Sequence, residues 1–183
     1  MSLPPAKVLV MVSGREVWLR ITGHANFTAA PDFKALVHGL LQKGYHRFKV
    51  DLSDCVLLDS TFLGLLCRLG VQLHQSGDPE AGVDLLNPTP RVAQLIEGLG
   101  VTDYLRIIQE PRTIPGTSHG TETVLGAGGT DRIELARTSL EAHQTLMAVN
   151  PANQSRFKDV ARFLQEDLQK LEEARKQPGG SST

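Results

Sequence analysis

The sequence predicts an α/β protein with a mixed, mostly parallel β-sheet of about five strands, helices packed on the sheet and an α-helical hairpin at the carboxyl end. Three observations predict this fold. Short β-branched runs alternate with helical patterns over residues 1–110, residues 111–130 are rich in glycine, and a charged pattern of helical period follows. The chain has 183 residues, of which 40% are hydrophobic. It is therefore long enough for one domain with an appendage.

The elements of the first domain follow from short apolar runs. Two runs of β-branched residues are separated by Ser13-Gly14-Arg15, which predicts a β-hairpin. The predicted strands lie at 7–12, 17–21, 48–52, 83–86 and 105–108. Apolar residues at helical spacing predict helices at 33–41, 62–73 and 91–99. Because strands and helices alternate after the hairpin, we expect most strand pairs to be parallel.

The segment 111–130 separates this domain from the rest of the chain. It contains five glycines and two prolines and has almost no periodic apolar pattern. Such a composition is typical of a flexible linker, so the flanking parts are expected to move independently. We expect a sheet domain at 1–110, a flexible linker at 111–130, a helical hairpin at 131–176 and a disordered tail at 177–183.

The second helix of the hairpin carries a narrow apolar seam. Its members are Phe157, Val160, Leu164, Leu168 and Leu171. One helix of this kind is marginal alone, so the seam must pack on the hairpin, on the first domain or on a second copy of the chain. A homodimer through residues 131–176 is therefore one of the alternatives.

Composition excludes several classes of function. The formal net charge is −1, so no global field attracts nucleic acid or an acidic membrane, and neither is expected as a partner. The sequence has no apolar stretch of membrane-spanning length and no signal segment at its start, which predicts a cytoplasmic location. Cys55 and Cys67 lie in or beside apolar runs and are expected to be reduced and buried.

Catalytic motifs are not found. The six histidines are scattered without metal-ligand spacing, so no metal site is predicted. The chain lacks GxGxxG, a phosphate-binding loop and a GxSxG nucleophile turn. The sequence therefore predicts a protein without a cofactor of its own and without enzymatic activity, and a small hydrolase is the weakest interpretation.

The stretch FKVDLSDCVLLDSTFLGLLCRLG carries the strongest functional signal. A strand ends in it, a short apolar loop is expected to follow, and Asp59-Ser60-Thr61 begins a Leu-rich helix. Each of these three residues can cap a helix through its side-chain oxygen. The same position favours a phosphate, because free backbone amides and the positive end of the helix dipole meet there. These residues alone allow two interpretations of Ser60, a structural helix cap and a phosphate acceptor.

The stretch VDLSDCVLLDSTFLGLL resembles the signature of the STAS domain of the anti-sigma factor antagonist family. In that family a strand ends in D-L-S, and D-S-[ST]-G-L-G begins the next helix. The later stretch LLNPTPRVAQLIEGLGVTDYLRII is also similar, so the resemblance covers about residues 6–110. It implies a STAS-like fold, and it implies that Ser60, the serine directly after the aspartate, accepts a phosphate.

The resemblance also implies a function and partners. A protein of this family binds an anti-sigma factor that is a serine protein kinase, and phosphorylation of the serine switches this binding off. The kinase supplies ATP and Mg²⁺, and a metal-dependent serine phosphatase removes the phosphate. The alternative is a constitutive STAS scaffold subunit of a transport or sensory complex, in which Ser60 is only a helix cap.

Two residues depart from the family pattern. Phe62 stands where glycine is common, and it either turns into the core or joins the partner surface. Asn26 stands where an aspartate is common, and it keeps the size and hydrogen bonding of that residue but lacks its charge. Thr61 is a second possible phosphate acceptor. The residues expected to contact a partner are Asp59, Thr61, Phe62 and Asn26.

Overall fold

The computed structural model describes residues 3–111, 120–129 and 131–177. Its strands are β1 (Lys7–Ser13), β2 (Glu16–Ala25), β3 (Arg47–Asp51), β4 (Cys55–Leu58), β5 (Gly82–Leu86), β6 (Leu105–Ile108) and β7 (Thr121–Val124). Its helices are α1 (Ala30–Gln42), α2 (Ser60–Gln75), α3 (Pro90–Gly98), α4 (Arg132–Val149) and α5 (Gln154–Lys176). A single 3₁₀ turn, Pro151–Asn153, joins α4 to α5. The α/β class is confirmed.

The strands form one mixed sheet in the order β6-β5-β3-β2-β1-β7. The strand β4 pairs with the far end of β2, beyond the part of β2 that pairs with β3. The β1–β2 and β1–β7 pairs are antiparallel, and the other pairs are parallel. The predicted hairpin and the mostly parallel sheet are therefore confirmed. Gly14 permits the tight hairpin turn, because its φ of 61° is a conformation that glycine adopts readily.

Alternation along β2 places the main core on one face of the sheet. Val17, Leu19 and Ile21 are fully buried in the core that the helices cover. Trp18 points to the other face, where it forms a smaller cluster with Met11 and Leu86. Successive side chains of a strand point to opposite faces, so β2 contributes to both clusters.

Two strands exceed the predicted five. The first, β4, replaces the expected apolar loop after β3 and pairs with β2 across a register shift between Gly23 and His24. The second, β7, lies inside the expected linker and pairs with β1. All four residues of β7 are exposed, so its sequence lacks the alternation that predicts a strand. Residues 112–119 and 130 of the expected linker lie outside the described residues.

The helix α4 belongs to the same core as the sheet. It packs against α1 and α2, and its Ala142 and Leu146 are fully buried in the main core cluster. The predicted helical hairpin is confirmed, since α5 packs along α4. The expected boundaries at 110 and 130 stay a prediction, but α4 is fixed to the first domain by packing. Of the expected disordered tail, residues 178–183 lie outside the described residues.

Candidate functional site at the start of α2

Asp59 joins two elements at the beginning of α2. It is the N-cap residue, and its Oδ1 accepts a hydrogen bond from the backbone N–H of Phe62 at 2.8 Å. Its Oδ2 accepts from the backbone N–H of Phe27, in the loop between β2 and α1, at 2.7 Å. Both carboxylate oxygens are therefore occupied by backbone donors. Asp59 holds the β2–α1 loop against the helix start, which is a positioning role.

Burial raises the pKa of Asp59 above its ordinary value of 3.8. The N–H groups of Phe62 and Phe27 act in the opposite direction, because they stabilise the ionised form. Desolvation is the larger of these effects. The carboxylate is thus held between two donors and partly removed from water, and its geometry does not present it as a free base beside Ser60.

The hydroxyl of Ser60 is bonded to a residue of the C-terminal region. Ser60 Oγ lies 3.1 Å from Nε2 of His143 in α4. The other ring nitrogen, Nδ1, lies 2.7 Å from the carbonyl oxygen of Ser139. A carbonyl oxygen only accepts, so Nδ1 carries a proton and donates to Ser139. In the tautomer that is protonated at Nδ1 alone, Nε2 accepts from the Ser60 hydroxyl. Ser60 is half-buried, and His143 is buried.

Close packing seats α4 beside this hydroxyl. A Cβ atom placed on Gly64 of α2 would lie 2.6 Å from the carbonyl oxygen of Ala142, so the two helices touch where α2 has no side chain. Lys34 of α1 binds Glu141 of α4 at 2.9 Å, and Arg68 of α2 approaches the same carboxylate at 3.9 Å. The start of α2 is therefore covered by α4, a helix that lies far from α2 in the sequence.

Thr61 and Phe62 point into the protein. Thr61 is 5% exposed and Phe62 is 0% exposed. The Phe62 ring packs on Phe33 of α1, with the ring centroids 4.5 Å apart. The inward alternative for Phe62 thus agrees with the structure, because a ring at this position fills the space between α1 and α2. Neither Phe62 nor Thr61 is exposed in this conformation, and their contact with a partner stays a prediction.

Asn26 shapes the loop that faces the helix start. Its Oδ1 accepts from the backbone N–H of Thr28 at 3.1 Å and from the Thr28 hydroxyl at 2.7 Å. The Asn26 side chain is therefore engaged in a local turn, at the position where the family commonly has an aspartate. Phe27, the next residue, is 49% exposed and lies beside Asp59 through its backbone bond. The sequence pattern gave no reason to select Phe27, because a single aromatic residue in a turn has no characteristic spacing.

An open groove lies on the other side of Asp59, with a volume of about 380 Å³. It runs between β4, α3 and the start of α5. Leu57 and Leu95 supply apolar surface, and Arg91 and Arg156 supply positive charge. The start of α2 thus has one side covered by α4 and another side open to solvent.

The two cysteines are buried as free thiols. Burial raises the pKa of Cys55 to about 11 and that of Cys67 to about 12, so both thiols are protonated at neutral pH. Both cysteines are free and buried, as expected. Over residues 3–111, 120–129 and 131–177, no three His, Cys, Asp or Glu side chains are grouped closely enough to bind a metal ion.

The sheet order, the cap at Asp59 and the serine that follows it define a STAS domain. The sequence profile of the family described as "Mlab, STAS domain" matches residues 9–109, and the chain belongs to this family. Residues 131–177, with α4 and α5, lie beyond the matched range. A search of curated proteins finds no significant match.

Solved structures are similar over somewhat more than half of the chain. The NMR structure of TM1081 from Thermotoga maritima is 24% identical, with 55% of this chain and 78% of that chain covered and a TM-score of 0.49. The anti-sigma factor antagonist SpoIIAA in its unphosphorylated form is 19% identical, with 60% and 90% covered and a TM-score of 0.48. Among the described residues, no helix combines the length and apolar character that spanning a bilayer requires.

Proposed function

We propose that this protein is a protein-binding regulator, an anti-sigma factor antagonist that binds an anti-sigma factor with serine kinase activity and is switched off by phosphorylation at Ser60. The observation that carries the proposal is the position of Ser60. It is the first residue of α2, directly after the capping Asp59. A phosphate at this place meets the positive end of the helix dipole, so modification does not require α2 to unfold.

The chemical step belongs to the partner kinase. A bond forms between Ser60 Oγ and the γ-phosphorus of ATP, the bond to the β-phosphate oxygen breaks, and ADP leaves. The hydroxyl proton passes to a base of the kinase or to water, and Mg²⁺ bound with the ATP neutralises the phosphates. A metal-dependent serine phosphatase reverses the modification by hydrolysis. This chain contributes the acceptor and its position, and it needs no cofactor of its own.

The charge change is large enough to operate a switch. Phosphorylation adds about −1.5 to −2 charges beside the Asp59 carboxylate. Moving a complex from 99% to 1% occupancy requires about 5.5 kcal/mol. Disruption of a buried charged contact in an interface costs about 2–5 kcal/mol or more. A single phosphate inside an interface is therefore of the required order.

Phosphorylation is tested with a purified serine kinase of the anti-sigma factor class, ATP and Mg²⁺, followed by mass spectrometry of the intact protein and its peptides. We expect one phosphate on Ser60, with Thr61→Ala still modified. Ser60→Ala is the matched control and is expected to remain unmodified. A phosphate that persists on Ser60→Ala would contradict the assignment.

A second candidate function is a constitutive scaffold, and one observation favours it. The Ser60 hydroxyl is already bonded to His143 under a packed helix, whereas the groove with Arg91 and Arg156 is open. A scaffold partner can use the groove without moving α4. Pull-downs with the parent, Ser60→Ala and Ser60→Asp proteins distinguish the two functions. A partner lost only with Ser60→Asp supports the switch, and a partner retained by all three supports the scaffold.

A further inference from the structure

We propose that α4 occupies the partner-binding surface of this protein, and that the partner displaces α4 by presenting a helix with the same contact chemistry. The inference rests on the proposed function in one respect, since it takes Ser60 to be the group that a partner kinase must reach. It adds the surface, the kind of partner and the internal competitor.

The first step is the accessibility of the acceptor. A kinase must place a phosphorus atom against Ser60 Oγ, and this atom is hydrogen-bonded to His143. His143 cannot turn aside alone, because its Nδ1 is bonded to Ser139 and its ring packs on Phe157 with centroids 4.9 Å apart. The backbone of Ala142 contacts Gly64 one turn further along α2. Access to Ser60 from this side therefore requires α4 to move as a unit.

The second step is the chemistry of the surface that α4 covers. Three contacts define what a helix needs in order to lie there. A small residue must face Gly64, as Ala142 does. An acidic side chain must lie between Lys34 and Arg68, as Glu141 does. Because Lys34 and Arg68 are left without Glu141 when α4 leaves, a replacement helix gains by supplying a carboxylate there.

The surface continues beyond α4. The groove between α1 and α2 stays open further along, with a volume of about 170 Å³, and Lys34 and Arg68 line it together with apolar side chains. These apolar residues are Phe33, Val37, Leu41, Leu65 and Leu69. An incoming amphipathic, acidic helix can thus make contact before α4 has left. The partner we infer is a helix with one small residue beside one acidic residue.

The chain before α4 permits the movement. Gly126 and Gly129 have φ values of 75° and 66°, conformations that glycine adopts without strain. Gly128 lies between them. The backbone N–H of Gly126 donates to Asp32 of α1 at 2.7 Å, so the chain is held as far as Gly126. Space around Gly128 and Gly129 is open, so α4 and α5 can leave together from this point while the sheet keeps its pairing.

The accessibility of position 60 beneath α4 is measured with Ser60→Cys in the full chain, by the rate at which the new thiol reacts with N-ethylmaleimide. Ser155→Cys, at an exposed position of α5, is the reference. The unmodified parent gives the background of the buried Cys55 and Cys67. We expect Ser60→Cys to react at least tenfold more slowly than Ser155→Cys. Equal rates would overturn the proposal.

Displacement is tested with paired variants in the Ser60→Cys background. Ala142→Leu crowds the contact with Gly64, and Ala148→Leu makes the same change on the exposed side of α4. If Ala142→Leu does not fold, Glu141→Lys is used instead, because it removes the ion pairs of Glu141 with Lys34 and Arg68 and leaves the apolar core unchanged. Glu166→Lys, at an exposed position of α5, is its control. We expect the first member of each pair to increase the labelling rate at least tenfold and the second to leave it unchanged. Labelling that stays slow while hydrogen exchange shows α4 detached would overturn the proposal.

The kind of partner is tested with a synthetic peptide of residues 131–150, labelled with a fluorophore. We expect it to bind the Ala142→Leu protein and not the parent, in which α4 already occupies the surface. A peptide with Glu141→Lys is expected to bind at least tenfold more weakly. Equal binding of both peptides, or of the peptide to both proteins, would contradict the inferred chemistry.

The kinase assay separates this inference from the proposed function. With Ser60 intact, Ala142→Leu is expected to be phosphorylated at least fivefold faster than the parent, and Ala148→Leu at the parent rate. Equal phosphorylation of all three would overturn the role of α4 and leave the proposed function standing. A slow-labelling Ser60→Cys protein combined with no phosphorylation of any Ser60 protein would instead overturn the proposed function, and the kinase-dependent part of the inference with it.

Discussion

The helices α4 and α5 form one hairpin, yet they are attached to the protein in different ways. In α4, eight of 18 residues are buried, whereas in α5 one of 23 is buried. The helix α4 contacts α1 and α2 directly, and α5 packs along α4. The C-terminal region therefore has an inner helix that completes the core of the STAS domain and an outer helix that is held by the inner one.

The contacts between the two helices explain how the outer one is held. Arg137 of α4 binds Glu172 of α5 at 2.7 Å, and Arg175 of α5 binds Asp131 at 3.1 Å. These ion pairs are largely exposed, so each contributes little to stability. Among the apolar residues of α5, Ala161 is buried and Val160 and Phe163 are exposed. Four others are half-buried, namely Phe157, Leu164, Leu168 and Leu171. Both helices show apolar residues at helical spacing, yet only α4 contributes substantially to the core.

The largest expected effect comes from the same truncation in each helix. Leu146→Ala removes a fully buried side chain of α4 from the main core, and it should lower the free energy of unfolding by about 2–5 kcal/mol. Leu168→Ala in α5 removes a half-buried side chain and should cost about 1 kcal/mol or less. Urea denaturation of both variants measures the difference. Equal losses would show that the two helices belong to one layer.

A second test adds a methyl group under α4. Gly64→Ala places a Cβ atom 2.6 Å from the backbone of Ala142, so α4 must shift, at an expected cost of about 1–3 kcal/mol. Gly39→Ala in α1 is the matched control, because its Cβ meets no atom within 4 Å. That variant should gain about 0.5–1 kcal/mol, since alanine favours a helix interior. A neutral Gly64→Ala would contradict the seating of α4.

The junction between the helices provides a third test. The Asn153 side chain is 1% exposed and donates to the carbonyl oxygens of Leu99 and Leu146, at 3.0 and 2.9 Å. Asn153→Ala leaves both carbonyls without this donor and should cost about 1–3 kcal/mol. Gln154→Ala, at the exposed neighbouring position, should be nearly neutral. Thermal melting of both variants checks the prediction, and equal melting temperatures would refute it.

The smallest expected effect is on the ion pairs of the outer helix. Arg137→Gln removes the bond to Glu172 but touches no buried group, so the melting temperature should change by no more than about 2 °C. Amide exchange in α5 should become faster, while exchange in β2 should stay at the parent rate. Faster exchange in both elements would mean that α5 unfolds only together with the sheet.

Strongly periodic hydrophobic patterns were sufficient to predict most secondary-structure elements of the domain. The alternating runs before residue 110 predicted the hairpin, the parallel strands and the helices α1, α2 and α3. Local chemistry predicted that Asp59, Ser60 or Thr61 caps α2, and the structure has Asp59 as the cap and Ser60 as the first residue of the helix. The strands β4 and β7 were not predicted, because the short apolar run of β4 does not alternate with polar residues and β7 is exposed throughout.

The candidate site was predictable only in its local part. The signature around Asp59 and Ser60 lies in one stretch of sequence, so its spacing could be recognised. The bond from Ser60 to His143 joins residues 83 positions apart, and a single histidine in a helix has no pattern that reports its partner. The choice between an inward and an outward Phe62 likewise needed the space beside Phe33.

The sequence by itself determined the fold class, the STAS signature and the placement of a serine at the start of a helix. These features depend on local spacing, and backbone geometry converts such spacing into structure within a few residues. Only the tertiary structure decided that α4 lies against Ser60 and that α5 lies outside it. The physical reason is that close approach at Gly64 and shared burial in the core depend on which distant surfaces meet, and hydrophobic burial has no direction along the chain.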